Sequence, residues 1–111
     1  MHELSITRNI VAIVSESAQG RRVTRVRLEV GCLSAVEPQA LLFCFDVASQ
    51  GTVLAGATLE IIEVPGRALC LECRAEVALQ GLVGHCACGS RRLERLSGEE
   101  LNIKDMEVEA A

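Results

Sequence analysis

Two groups of residues in this sequence are of types that do chemistry. The larger lies in CLECRAEVALQGLVGHCACGS, residues 70–90. Cys70 and Cys73 form a C-x-x-C pair, so both sulfurs can reach one ion from a single tight turn. A second pair of donors follows, ending at Cys88 with Gly89 behind it. Two such turns facing each other make a tetrahedral site of the kind Zn2+ takes. The fourth donor has two readings. His85 keeps the two-residue spacing to Cys88 and gives a Cys3His site, whereas Cys86 gives an all-thiolate site through a tighter C-x-C turn. Spacing favours His85, and the residue left over then sits beside the metal. Val77, Leu79, Leu82 and Val83 are too few to fold such a segment on a core of their own, so metal binding is expected to supply its folding energy.

The second group is the opening Met1-His2-Glu3, which sets an imidazole directly behind the first residue. Termini usually fray in solvent, so this triplet acquires meaning only from the rest of the chain. Cys32 and Cys44 stand apart from the cluster and are expected to be small buried hydrophobes.

The elements that must position these groups are short. With 111 residues, half of them apolar, the chain has one domain or one domain with a metal-stapled lobe. Phe43 and Phe45 are its two aromatics, so the core must be built from Val, Ile and Leu. Glu3 and Arg8 interrupt the one candidate apolar run at the start, so no signal peptide is expected, and no stretch is long enough to span a membrane. A cytoplasmic setting follows, in which clustered cysteines more often bind metal than pair as disulfides. The net charge of −4 gives no general attraction to nucleic acid. Two arginine groups, Arg21, Arg22, Arg25 and Arg27, then Arg91, Arg92 and Arg95, read as solvated faces.

Residues from about Ser5 to Gln19 read as an amphipathic helix, with Ile6, Ile10, Ile13 and Val14 on one face and Gly20 as a left-handed cap. VTRVRLEV alternates as a half-buried strand, Thr24, Val26, Leu28 and Val30 facing in. Glu37 and Pro38 open a second helix that Gly51 closes, with Leu41, Leu42, Phe45 and Ala48 as its apolar stripe. TLEIIEV and LNIKDMEV read as two more strands, the last changing phase near Lys104 and Asp105. The expected fold is α+β: two helices packed on a small three-stranded sheet, with an inserted zinc-ribbon lobe. Residues 1–65 and 99–111 form the α/β lobe and 66–98 the zinc ribbon, Gly66 and Gly98 marking where the insert leaves and rejoins.

A zinc segment inserted before the last strand, behind a chain that starts MHELS, resembles the hydrogenase nickel-incorporation proteins of the HypA/HybF family. The resemblance runs end to end, through RVRLEVGCLSAVEP, LLFCFDV, CLEC and SGEELNIKDMEVE. It implies a nickel metallochaperone, not an enzyme, that delivers Ni2+ to the large subunit of a nickel–iron hydrogenase. It further implies a maturation GTPase partner (HypB), a role with urease maturation proteins in some members, and a monomer or homodimer that touches neither membrane nor nucleic acid. The family's nickel site corresponds to His2 with Glu3 alongside, and an acidic residue before the second helix corresponds to Glu37. Chemically, the Met1 amine, the His2 amide and the His2 imidazole can chelate one ion in fused rings. The Glu3 amide or an outside donor completes a square plane that suits Ni2+. Relatives typically carry a second C-P-x-C knuckle where this chain reads HCAC. The exposed face of the first strand and the first helix are the expected partner surfaces.

Three other readings compete. A zinc-ribbon adaptor could bind nucleic acid or protein through Arg91, Arg92 and Arg95, although the acidic balance and the scarcity of aromatics oppose the former. The same four donors could hold iron in a rubredoxin-like electron carrier, which would be red where zinc is colourless. A catalytic zinc needs an open coordination position and a placed acid or base, and the sequence supplies neither.

Overall fold

Glu37 and Pro38 open the second of two helices in the computed structural model, which describes residues 2–81 and 83–110. Met1 and Leu82 of the sequence reading lie outside the described residues. The elements run α1 (Glu3–Ala18), β1 (Val23–Gly31), α2 (Pro38–Ser49), β2 (Thr58–Val64), β3 (Gly66–Cys70), β4 (Glu76–Leu79), β5 (Leu93–Ser97) and β6 (Leu101–Val108). They form an α+β fold with two three-stranded sheets, ordered β2-β1-β6 and β4-β3-β5. The chain divides into two compact units. Met1–Leu28, Val36–Ile62 and Asn102–Ala111 make the first, and Glu29–Ala35 with Glu63–Leu101 the second.

In the first unit α1 packs on α2. The buried stripe of α1 is Glu3, Thr7, Ile10, Val11, Val14 and Ala18, a regular helical spacing. Val11 holds the place expected for Ile13, which is 55% exposed. A purely apolar count misplaces the face because its first two members are polar. Thr7 can be buried there because its hydroxyl donates to the Glu3 and Leu4 carbonyls, each at 3.0 Å. Gln19, rather than Gly20, is the left-handed C-cap, its N–H donating to the Glu16 carbonyl. In α2 the Glu37 side chain caps its own helix by accepting the Gln39 N–H at 2.9 Å. Leu41 and Phe45 are fully buried, and Ser49 completes the stripe by donating to the Phe45 carbonyl.

Arg22 reaches the Ala55 carbonyl, Arg25 reaches Glu60, and the Cys32 N–H reaches the Val64 carbonyl. Partner numbers rise together, so β1 and β2 run parallel, with α2 as the crossover such a pair requires. On the other edge Thr24 donates to the Glu107 carbonyl and the Gly31 N–H to that of Glu100, so β6 is antiparallel. Val26, Leu28 and Val30 face inward as expected. At the start of the strand Val23 is buried and Thr24 exposed, the reverse of the expected parity, because the Thr24 hydroxyl finds its acceptor on β6. Along β6 the half-buried positions are 103 and 105, then 106 and 108, so the phase changes between Asp105 and Met106. Arg25 pairs with Glu60 and Glu107, and Arg27 forms a two-pronged pair with Asp105. These cations pair within the sheet.

The second unit has its own apolar cluster of Leu33, Ala68 and Leu79, with Leu93 packed against it. Leu33 comes from the turn after β1, which groups residues 29–35 with the cysteine segment. Three glycines lie close together here. A Cβ on Gly31 would stand 2.0 Å from the Gly98 carbonyl oxygen, one on Gly98 2.8 Å from Gly66 Cα, and one on Gly66 2.5 Å from the Leu79 oxygen. Gly98 also has φ +117, so a side chain there would be strained as well as crowded. β3 pairs antiparallel with both β4 and β5, placing Cys70 at the end of the central strand.

Candidate metal centres

Each of two turns presents a pair of cysteines. In the first, the Cys70 N–H donates to the Ala75 carbonyl and the Arg74 N–H to the Cys70 carbonyl, both at 2.9 Å. In the second, the Cys86 N–H donates to the Ser90 carbonyl and the Gly89 N–H to the Cys86 carbonyl, again at 2.9 Å. The closing residue takes positive φ in both, Arg74 at 66° and Gly89 at 93°. The turns follow one hydrogen-bond plan, and in it Cys86 stands where Cys70 stands. The second turn is one residue shorter, which is why counting two residues back from Cys88 points to His85.

The Sγ atoms of Cys70, Cys73, Cys86 and Cys88 all lie within 4.8 Å of one another. Cys73 and Cys86 approach to 3.5 Å, Cys70 and Cys88 to 3.7 Å. A zinc ion held at about 2.3 Å by four sulfurs sets them about 3.8 Å apart, so the donor set fits that ion. His85, the fourth donor that spacing favours, is exposed and not in this group. Cys32 is exposed and Cys44 half-buried, so neither is the buried hydrophobe expected.

Backbone amides polarise the cluster. The Cys73 N–H, foremost among several donors, lowers the Cys70 thiol to about 6. For Cys88 the largest single influence, the Ser90 N–H, lowers the pKa. The Cys86, Cys70 and Cys73 thiols and burial together outweigh it and push the group up to about 12. Cys73 is raised in the same way against the pull of the Ala75 N–H. One thiolate is therefore easy to form and further ones are costly until a cation enters. Ser90 acts here through its backbone, so no side-chain signal in the sequence marks it.

The second candidate centre is at the start of α1. His2 is the exposed N-cap residue, and its carbonyl accepts the Ile6 N–H at 3.0 Å. Glu3 is 7% exposed, and its Oε2 accepts the Glu37 N–H at 3.2 Å. That bond, first among its causes, holds the Glu3 carboxyl below the usual range. The beginnings of both helices thus meet at Glu3, and Glu37, flagged from sequence, stands beside it. Met1, the remaining member of the expected set, lies outside the described residues.

Among the described residues no helix is long and apolar enough to cross a membrane. The family described as hydrogenase/urease nickel incorporation, metallochaperone, hypA matches residues 1–108. A hydrogenase maturation factor HypA of Trichormus variabilis is 61% identical over 109 residues, covering 98% of this chain and 96% of the relative. One from Azotobacter vinelandii is 47% identical over 113 residues, covering 98% and 100%. Among solved structures, a HypA protein in solution superposes with a TM-score of 0.74 at 25% identity, covering 100% of this chain and 98% of the other. The fold also matches the solution structure of the Ni metallochaperone HypA from Helicobacter pylori, with a TM-score of 0.67 at 22% identity and full coverage of both chains. By a match spanning both candidate centres, this chain belongs to the HypA family.

Proposed function

We propose that this protein is a cytoplasmic nickel metallochaperone, not an enzyme, that takes Ni2+ at its N-terminus and delivers it to the large subunit of a nickel–iron hydrogenase. The observation that carries the reading is the family match from residue 1 onward, with a histidine at position 2 on the foot of α1. The first amides of a helix have no intrahelical carbonyl to bond to, so the His2 and Glu3 nitrogens can turn to a metal without unwinding α1. With the Met1 amine and the His2 imidazole they make a square plane of nitrogens, a geometry suited to Ni2+. The Glu3 carboxylate, held by the Glu37 N–H, orients this segment. Glu37 is close enough in the chain's fold to take part in handover. An exposed site of this kind releases its cargo by ligand exchange, as delivery requires.

The unit bearing α1 and α2 is the nickel lobe, and the unit bearing the four cysteines is the zinc lobe. Cys70, Cys73, Cys86 and Cys88 are the ligands this reading assigns to Zn2+. A centre closed by four thiolates leaves no open position, so its work is structural. Partners on this reading are the maturation GTPase HypB and the hydrogenase large-subunit precursor, with urease maturation proteins as a further client system.

The test is a nickel titration of zinc-loaded protein with an untagged terminus, beside His2→Ala and a version with one residue added before Met1. Binding of one Ni2+ with square-planar absorbance, lost in both variants, is the expected result. Equal binding by all three, or by none, overturns the reading.

A further inference from the structure

Arg91 and Arg95, two of the arginines outside the first sheet, lie along a trough on the second unit. Side chains alternate along a strand, so Leu93 and Arg95 share one side of β5, and Arg91, just before the strand, joins them. Together with Leu79, Val83 and Gly84 they line a cavity of about 110 Å3. Arg91, Val83, Gly84 and His85 line a second, of about 260 Å3. The two share Val83, Gly84 and Arg91 and so form one continuous depression. Its floor is aliphatic, since Leu79 and Leu93 belong to the unit's own apolar cluster. Val83, on the wall, is 84% exposed, the most open of the large hydrophobic side chains described. Arg91 on the rim makes no ion pair among the described residues. Arg95 is held by Glu99 in an exposed pair of a kind worth little and readily exchanged.

We propose that this trough docks an extended acidic segment of a partner protein. An aliphatic side chain of that segment seats between Val83 and Leu93, and flanking carboxylates meet Arg91 and Arg95. A wholly apolar occupant would bury the Arg91 charge without a partner, which is costly, and a cationic one would be repelled. Nucleic acid fits poorly, because the trough lining offers no aromatic for base stacking. Such a contact fixes which proteins the chaperone meets, through residues separate from those proposed to hold nickel.

The test uses zinc-loaded full-length protein followed by amide NMR. The probes are a synthetic hexapeptide alternating aspartate and leucine, the same peptide with asparagine for aspartate, and a thymidine dodecanucleotide. The aspartate peptide should shift the amides of Val83, Gly84, His85 and Leu93, and the asparagine peptide should bind at least about tenfold more weakly. Arg91→Glu should weaken the aspartate peptide by about tenfold or more while leaving the rest of the spectrum native. Glu99→Gln, which removes the carboxylate paired with Arg95, should tighten it. His2→Ala should bind the peptide as the parent does, so failure here and failure of the nickel reading are separable. Equal binding of both peptides, shifts confined to other surfaces, stronger shifts with the oligonucleotide, or no shift at millimolar peptide would each overturn the proposal.

Discussion

The Glu3 carboxylate accepts the backbone N–H of Glu37, so the first turn of α1 is fastened to the cap of α2. This bond crosses between two segments that the sequence separates by 34 positions. It gives the residue beside His2 a structural duty that a purely ligand-based view would miss. Glu3→Ala should therefore lower the melting temperature more than Glu3→Gln, whose amide oxygen can still accept the Glu37 N–H. Both variants should still bind nickel if the donors there are backbone nitrogens and His2. Calorimetry and a nickel titration on the same samples check the two halves.

Acid should weaken these contacts in a defined direction. Glu3 is held below its ordinary value first by the Glu37 N–H, and Asp105 below its own first by hydrogen bonding to Arg27. A carboxyl whose folded pKa is depressed stabilises the fold above its unfolded value, and that contribution disappears as pH falls through the folded one. The loss should thus begin near the ordinary values of 4.5 and 3.8 and continue below them. Asp105→Asn should be less stable than the parent at neutral pH and converge with it in acid. Urea melts across that range read the difference.

Zinc retention should separate Cys86 from His85. Cys86→Ser is expected to lower bound zinc well below one ion per chain, and His85→Ala to leave it unchanged. Substitution with Co2+ gives a second readout, since four thiolates produce stronger charge-transfer absorption than three with an imidazole. Because the thiols of Cys73 and Cys88 are raised, binding must displace their protons, and affinity should fall as the solution is acidified.

The two phenylalanines should behave oppositely. Phe45 is 1% exposed and Phe43 70% exposed, two positions apart on α2. Phe45→Ala should cost about 3–5 kcal/mol through lost burial and the cavity it leaves. Phe43→Ala should fall within about 0.5 kcal/mol of the parent. Chemical denaturation of each variant gives the comparison directly.

Much of this architecture can be read from the chain because it rests on local rules. Both helices, the alternation at Val26, Leu28 and Val30, and the cysteine pair at Cys70 and Cys73 follow from periodicity and spacing. Reading fails where a distant partner decides. Thr24 turns outward because β6 offers it a carbonyl, and Thr7 and Glu3 turn inward because backbone groups satisfy them. The choice between His85 and Cys86 depends on which residue starts the hydrogen-bonded turn, and letter spacing does not encode that frame. Leu33 packs in the second unit's core because Gly31 and Gly98 let the backbones approach closely, a contact that no local pattern announces.

The crowding of Gly31, Gly66 and Gly98 bears on how variant data for this protein should be interpreted. In a saturation screen of protein abundance, these three positions should reject even alanine, as sharply as the cysteines reject serine. A map of intolerant sites would then single out three residues that bind nothing. Growth in the presence of excess metal would sort the two classes, since added zinc can partly rescue a weakened ligand set but cannot make room for a methyl group.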